Sequence, residues 1–597
     1  MSNTRLYRGG EFLITEALPE EIFTPEDFDR DQRLIGKSAE EFHLKEVLPS
    51  KEDIEAFNPE LTRKMLIKLG KLGFLGADIP EVYGGTELDK VSSTLISEHI
   101  SAGVPGFSTT FAVQTGIGSL PIVLFGTQDQ KERYLPGLAS GELVGAYALT
   151  ESEHGSDALS ADTTAVLSDD GYDYLLNGQK QFISNAGFAD IFLTYGQVDE
   201  TRFTSFIVER DWEGVSLDEE EKKMGMHGSS TRGVIFTNVR VPRANLLGEI
   251  GKGHVVALNS LNIGRYKLGA ISLGGAKTLL AEAIKYAKAR VQFGKPICEF
   301  GLIKHKLAEM IIRIYVNESM IYRTAGLLDM ALKDIDLTRE DSGFKTGEAI
   351  RRYALECSIN KVYGSEALGF VADECVQIMG GYGFIRDYPA EGAYRDARIN
   401  RIWEGTNEIN RLLIVDMLMK AAMKGELPLM EAIKKITDEL LTSNQDMAEE
   451  DKILEKEKKM VHMAKKMGLI AAGAAARKYM TKLADEQEIV ALISDIIIEI
   501  FAMESALLRT LKIIEKQGEA RADIQAAVTR VYIFETFPRV ELMAKQIFAA
   551  LSEGEELKTS LTVLKKLAKY TPVNSVALRR KIAENSFPAA RYHLTKL

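Results

Sequence analysis

The carboxylate of Glu404 lies in Trp403-Glu404-Gly405-Thr406-Asn407-Glu408, directly ahead of a stretch with helical spacing. Spacing alone makes it an ordinary acid before a helix that Thr406 caps, with Glu408 in the first turn favoured by the helix dipole. The other role open to it is general base catalysis, which asks for desolvation. A free Glu titrates near pKa ~4.3 and is a feeble base toward a carbon acid until water is kept from it. Gly380-Gly381-Tyr382-Gly383 is a second candidate, because glycine lets backbone approach a ligand closely, although it also stops helices. It lies between helical stretches, and no strand–GxGxxG–helix unit occurs, so a Rossmann dinucleotide site is not supported. Cys298, Cys357 and Cys375 are too few and too scattered for a disulfide framework or a C-x-x-C site, and read as reduced core thiols. None of the eight histidines stands in a zinc-ligand spacing, so no metal is expected.

The elements that must hold these residues follow from periodicity. Residues from about 25 to 142 read as helices with short connections; Asn58-Pro59 opens one that carries Leu61, Met65, Leu66 and Leu69 at helical spacing. Between 143 and 250 the texture changes to short runs rich in β-branched and aromatic residues: 161–168, 172–176, 190–195, 202–209 and 233–239. Asp170-Gly171 and Asn177-Gly178 read as turns between them, which predicts an antiparallel β domain. After Gly251 the helical period returns, first as an up-and-down bundle over 251–422 and then as a helical extension over 423–597. The seams fall at 425–428 and in the polar stretch 443–451. The expected fold is therefore α+β and multidomain: an N-terminal helical domain (1–142), a central antiparallel β domain, a helical bundle and an extra C-terminal helical domain.

With 597 residues, 45% of them hydrophobic and 27% charged, the chain is globular and long enough for several cores. Its net charge of −12 argues against nucleic acid as the main partner but leaves room for a small anionic ligand held by placed arginines. The N-terminus is neither a signal peptide nor a transit peptide. The most apolar window, 489–508, is interrupted by Asp495, Glu499 and Glu504 and reads as a buried helix. A cytoplasmic protein is expected, peripheral to the inner membrane surface at most. Residues 452–467 form a basic amphipathic stretch that suits either a membrane surface or a solvated helix between domains.

Several motifs in series resemble the acyl-CoA dehydrogenase family: Tyr147-Ala148-Leu149-Thr150-Glu151 running into Gly155-Ser156-Asp157, Phe182-Ile183-Ser184-Asn185-Ala186-Gly187, Arg290-Val291-Gln292-Phe293-Gly294, Gln377-Ile378-Met379-Gly380-Gly381-Tyr382-Gly383-Phe384, and the segment around Glu404. The resemblance implies an FAD enzyme that takes hydrogens from the α and β carbons of a fatty acyl-CoA, a step of fatty acid β-oxidation. Glu404 would remove the α-proton while its own backbone N–H helps polarise the thioester carbonyl, and the flavin would take the β-hydride. A minority of the family carries its base just before the arginine of the first long bundle helix; here that position is Gly264, directly before Arg265, which leaves Glu404.

By the same resemblance Tyr147, Leu149, Thr150, Phe182 and Ser184 face the flavin ring. Ser156, Asn262, Arg265 and Gly405 lie on the substrate side, Arg265 as a positive group near the CoA moiety. Many relatives have Trp and Thr in place of Phe182 and Ser184, changes that keep an aromatic stack and a hydroxyl. Arg290, Gln292, Phe293, Gln377, Gly380 and Gly381 match segments that reach the FAD of a neighbouring subunit, where arginine pairs bidentately with pyrophosphate. Thr406 and Glu408 complete the adenosine side. Gln114 and Gly118 align with the helix that floors the acyl pocket, and the missing side chain at Gly118 would deepen a tunnel for a long tail. The 425–597 block resembles the extension of the very-long-chain branch, which implies a homodimer rather than a tetramer, with electron-transferring flavoprotein as electron acceptor. Two alternatives are an acyl-CoA oxidase or flavin oxygenase on the same scaffold, and a non-enzymatic assembly protein.

Overall fold

The computed structural model describes residues 5–337, 339, 341–442 and 453–595, with side chains of 440–442 left aside. The N-terminal domain comprises α1 (Arg30–Phe42), α2 (Lys51–Glu55), α3 (Pro59–Lys71), α4 (Lys90–Ile100), α5 (Pro105–Thr115), α6 (Leu120–Phe125) and α7 (Gln128–Ser140). Local chemistry starts these helices: Asp29, Asn58, Asp89 and Thr127 each accept a backbone N–H in the first turn.

The sheet domain holds β1 (Gly145–Ala148), β2 (Thr164–Leu167), β3 (Asp173–Ser184), β4 (Ile191–Val198), β5 (Arg202–Glu209), β6 (Val215–Leu217), β7 (Thr231–Pro242) and β8 (Leu246–Leu247), in the order β6-β7-β3-β2-β4-β5-β8, with β1 beside β4. Most pairings are antiparallel, as the hairpin-like spacing predicts. The short β1 and β2 run parallel to β4 instead, because each reaches it by a connection longer than a hairpin. Asp170-Gly171 is a turn, with Gly171 at φ 73°. Asn177-Gly178 is not: it lies inside β3, where the register with β7 slips between Leu176 and Gly178. Gly178, at φ 153°, has no room for a Cβ against Thr163, so the glycine serves a bulge rather than a hairpin.

The bundle follows: α8 (Gly253–Ala289), a small β9 (Val291–Gln292) and β10 (Lys295–Pro296) hairpin, α9 (Gly301–Leu332), α10 (Ser342–Arg351), α11 (Ala354–Met379), α12 (Pro389–Ala397) and α13 (Asn407–Met423). The extension is α14 (Leu429–Thr442), α15 (Glu455–Tyr479), α16 (Gln487–Gln517), α17 (Asp523–Leu551), α18 (Gly554–Leu567) and α19 (Ser575–Ser586). It is not a separately cored appendage. One continuous apolar core runs from Tyr7–Phe28 through α8, α9 and α11 into α15–α17.

One expectation holds here and one is corrected. The 489–508 window is the buried middle of α16, and its acids are partnered: Asp495 by Arg411, Glu499 by Arg539, and Glu504 by Arg323 at 2.8 Å and by Lys465. In the basic stretch 452–467, described from residue 453 onward, the apolar side is not left open. From Leu454 onward its apolar side is packed into the extension, with Met460, Val461 and Met467 buried, and Lys466 pairs with Glu439. The seam expected at 443–451 lies outside the described residues.

Candidate active site

Glu404 sits in the turn between α12 and α13, and its backbone is held in the left-handed region at φ 58°, with Gly405 following at φ 76°. A glutamate there carries strain of about 1–3 kcal/mol and persists only where its surroundings hold it. They do. Arg265 Nε donates to Glu404 O at 3.2 Å, Asn410 Nδ2 donates to Gly405 O at 2.8 Å, and Lys361 Nζ donates to the same oxygen at 2.7 Å. Thr406 caps α13 by accepting the Ile409 N–H. The N-cap expected from spacing and a strained carboxylate therefore coexist, because the cap fixes where the turn ends.

The Glu404 side chain looks into a cleft of about 2440 Å³. Its Oε2 is shut off from solvent and has no hydrogen-bond partner. Desolvation pushes the carboxyl up to about 7, opposed by the nearby Arg265 and Lys361 cations. Burial in turn pulls the Lys361 ammonium down to about 8, while Glu404 works against that fall. A carboxyl group poised near neutrality and left unpaired is what a general base requires. Gly264, on the facing turn of α8, makes the space: a Cβ there would lie 2.6 Å from Glu404 Oε2.

The sheet contributes the opposite wall. Tyr147 of β1 and Leu149 and Thr150 just after it line the cleft, and Ser156 lies in the exposed loop beyond. The second register slip of β3, between Lys180 and Ile183, frees Gln181 to donate to Thr150 O at 2.8 Å and turns Phe182 outward at φ 59°. Phe182 is consequently 60% exposed on the rim of the cleft, with Ser184 two residues on. An aromatic ring on strained backbone facing open space is a surface waiting for a flat partner.

Arg290, Gln292 and Phe293 do not line this cleft, nor do Gln377, Gly380 and Gly381. They form a second cluster past the C-terminal end of α8, where Arg290 lies 5.6 Å from the Tyr382 ring centre and Phe293 is 94% exposed. Gly264 and Arg290 are separated along α8 by about 39 Å, so one chain cannot bring both to one ligand of ordinary size.

The structure corrects three residues expected on the substrate side, Asn262, Gln114 and Gly118. Arg265 does line the cleft, buried beneath the Glu404 turn. Asn262 does not reach the cleft; its Oδ1 accepts from Arg265 Nη1 at 3.0 Å and orients that guanidinium. Gln114 is a strut, donating to Leu138 O and Leu143 O and accepting the Gly145 N–H. Gly118 opens no tunnel, because a Cβ there would lie 2.7 Å from Val113 O and 3.1 Å from the Gly145 backbone. Its missing side chain lets α5 and β1 approach each other. The face of α5 that does line the cleft carries Thr109, Ala112 and Val113, with Gly116 at its C-terminal cap. Sequence reasoning missed Lys361 and Asn410, which lock the turn. A lone lysine in the apolar run of α11 was the available signal.

A helical domain, a sheet and a bundle that together frame a base-bearing cleft define a class. Residues 29–142 match the N-terminal domain of acyl-CoA dehydrogenases, 146–239 the middle domain and 251–419 the C-terminal domain, while 463–566 match a further C-terminal domain of that name. The chain belongs to the acyl-CoA dehydrogenase family. It is 48% identical over 588 residues to a probable acyl-CoA dehydrogenase of Bacillus subtilis, covering 98% of each chain. The crystal structure of an acyl-CoA dehydrogenase complexed with FAD from Bacillus anthracis superposes with a TM-score of 0.96 at 47% identity, over 98% of this chain and 100% of that one. The human mitochondrial very long-chain specific acyl-CoA dehydrogenase is 40% identical over 375 residues, 61% of this chain and 54% of that protein.

Proposed function

We propose that the protein is an FAD-dependent dehydrogenase of long-chain fatty acyl-CoA thioesters, forming the trans-2-enoyl-CoA in β-oxidation, with Glu404 as the base. The single observation that carries this reading is the unpaired Glu404 carboxyl, raised to about 7, in a cleft lined by the sheet on one side and α8 on the other. The residues present fit a flavin: Phe182 offers an exposed ring, and Thr150 and Ser184 supply hydroxyls beside it. When bound, FAD supplies the two-electron acceptor for the β-hydrogen.

The chain's own part is positioning and proton transfer. Arg265, Lys361 and Asn410 fix the turn, the cleft walls exclude water, and Glu404 Oε2 accepts the α-proton, becoming a neutral acid that its apolar surroundings tolerate. The Arg290 and Gly380 cluster serves the FAD of a second copy, so the working form is a homodimer, in the cytoplasm, with electron-transferring flavoprotein as acceptor. The separation along α8 supports the two-chain site. The volume of the cleft and the likeness to the very-long-chain protein support long substrates.

Anaerobic titration of the purified protein with acyl-CoAs of graded length tests this directly. Bleaching of the oxidised flavin band is expected with long chains, and a Glu404→Gln variant should bleach at least ~100-fold more slowly. Equal rates would sink the assignment. Rapid reoxidation of the reduced flavin in air would point to an oxidase, and a colourless protein to an assembly role.

A further inference from the structure

The cleft that Glu404 faces is also lined by residues from the far end of the chain: Tyr592, His593 and Thr595, just beyond α19. We propose that this C-terminal tail, with Tyr592 at its centre, forms a wall across the path of the acyl chain and sets the longest acyl chain the cleft accepts. The proposal rests on the acyl-CoA reading above and deepens it.

One face of α8 lines the cleft through Gly264, Leu268, Ile271, Gly275 and Thr278 and onward to Glu282 and Lys285, and so serves as a ruler. Gly264 marks the Glu404 end. Lys277 and Thr278 mark the level of the tail, where the Lys277 ammonium stands 5.0 Å from the Tyr592 ring centre. Thirteen residues of helix span about 20 Å. An extended chain advances about 1.2 Å per single bond, so this length matches an acyl tail of about 16 carbons.

The wall is built to stay in place. Tyr592 Oη donates to Glu318 Oε2 at 2.7 Å, and Arg509 donates to Glu318 Oε2 and to Thr595 Oγ1, each at 2.7 Å. Arg509 also pairs with Glu26 at 2.9 Å. Lys277 bridges Glu98 and Glu318, and Tyr322 donates to Glu98 at 2.6 Å. This charge lattice joins the N-terminal segment, α4, the bundle and the extension at one point. Buried charges so paired resist separation, because removing one partner strands the others in a poorly solvated site. A methyl terminus meeting this wall would have to desolvate it to go further, which sets a sharp limit on length. The extension thereby acquires a task at the substrate site, through a segment that follows its last helix.

Tyr592→Ala removes the ring while leaving Glu404 and the flavin-facing residues intact; Tyr592→Phe removes only the bond to Glu318. The test compares these holoenzymes with the unaltered one across acyl-CoAs of twelve, sixteen and twenty-two carbons, by kcat/KM and by calorimetric binding of matching CoA thioethers that cannot react. For Tyr592→Ala the preference should move to longer chains, kcat/KM rising about fourfold for each methylene newly buried, with tighter binding of the longest thioether. Tyr592→Phe should keep the original profile. A Tyr592→Ala enzyme with its flavin content intact and an unmoved profile overturns the proposal. Should that variant lose its flavin, Tyr592→Trp decides: a shift toward shorter chains supports the wall, and an unchanged profile overturns it. Failure of the unaltered enzyme to bleach with any acyl-CoA would refute the dehydrogenase reading instead, a result separable from an unmoved profile.

Discussion

Gly264→Ala tests the geometry of the base with a single methyl group. The new Cβ would lie 2.6 Å from Glu404 Oε2, 2.8 Å from Cδ and 2.9 Å from Oε1. Ordinary contacts to carbon begin near ~3.5 Å, so the carboxyl group must retreat by about 1 Å. The backbone cannot absorb this, since the Arg265 and Asn410 bonds and the Lys361 bond to Gly405 O hold the turn. The side chain must rotate away from the cleft. Misplacing a reacting group by about 1 Å costs on the order of 100-fold, close to 2.7 kcal/mol of barrier. The assay is anaerobic stopped-flow reduction of the flavin at saturating acyl-CoA, with flavin content and thermal midpoint as controls for folding. A folded, flavin-replete Gly264→Ala enzyme that reduces within threefold of the unaltered rate would refute the reasoning.

Three further outcomes follow from the same contacts. The kcat/KM profile should rise with pH through about 7, because the base must be ionised, and Lys361→Met should move that rise to higher pH by removing a cation that favours the carboxylate; an unmoved or acid-shifted limb would contradict the assignment. Folding should show the linked effect. The raised Glu404 group contributes stability that is full below pH ~4.5 and lost as pH rises through about 7, so Glu404→Gln should gain between about 1 and 3 kcal/mol relative to the unaltered protein between pH 4 and pH 8. Denaturant melts at the two pH values measure it, and the opposite sign would be fatal. Gly118→Ala should lower the thermal midpoint by several degrees without changing the preferred chain length, since the methyl meets Val113 O and the Gly145 backbone rather than substrate; altered chain-length preference would restore Gly118 to the tunnel.

Local pattern alone determined a good deal. Helical spacing, the helix start at Asn58, the Asp170-Gly171 turn and the β-branched and aromatic runs that become β4 and β5 are decided within a few residues, so they were legible before any fold. The motif series around Glu404 and Phe182 was legible for the same reason. Tertiary structure decided what each pattern faces. Asn177-Gly178 carries the chemistry of a turn, yet pairing with β7 makes it a bulge. Gly118 lacks a side chain in any fold, but only the approach of β1 shows what fills that space. An amphipathic stretch states that one side is apolar and not what covers it; in α15 the cover is the rest of the extension. Arg265 and Lys361 gain their roles from oxygens 139 and 44 residues away. Sequence spacing cannot encode such distances, because they arise when packing closes the chain on itself.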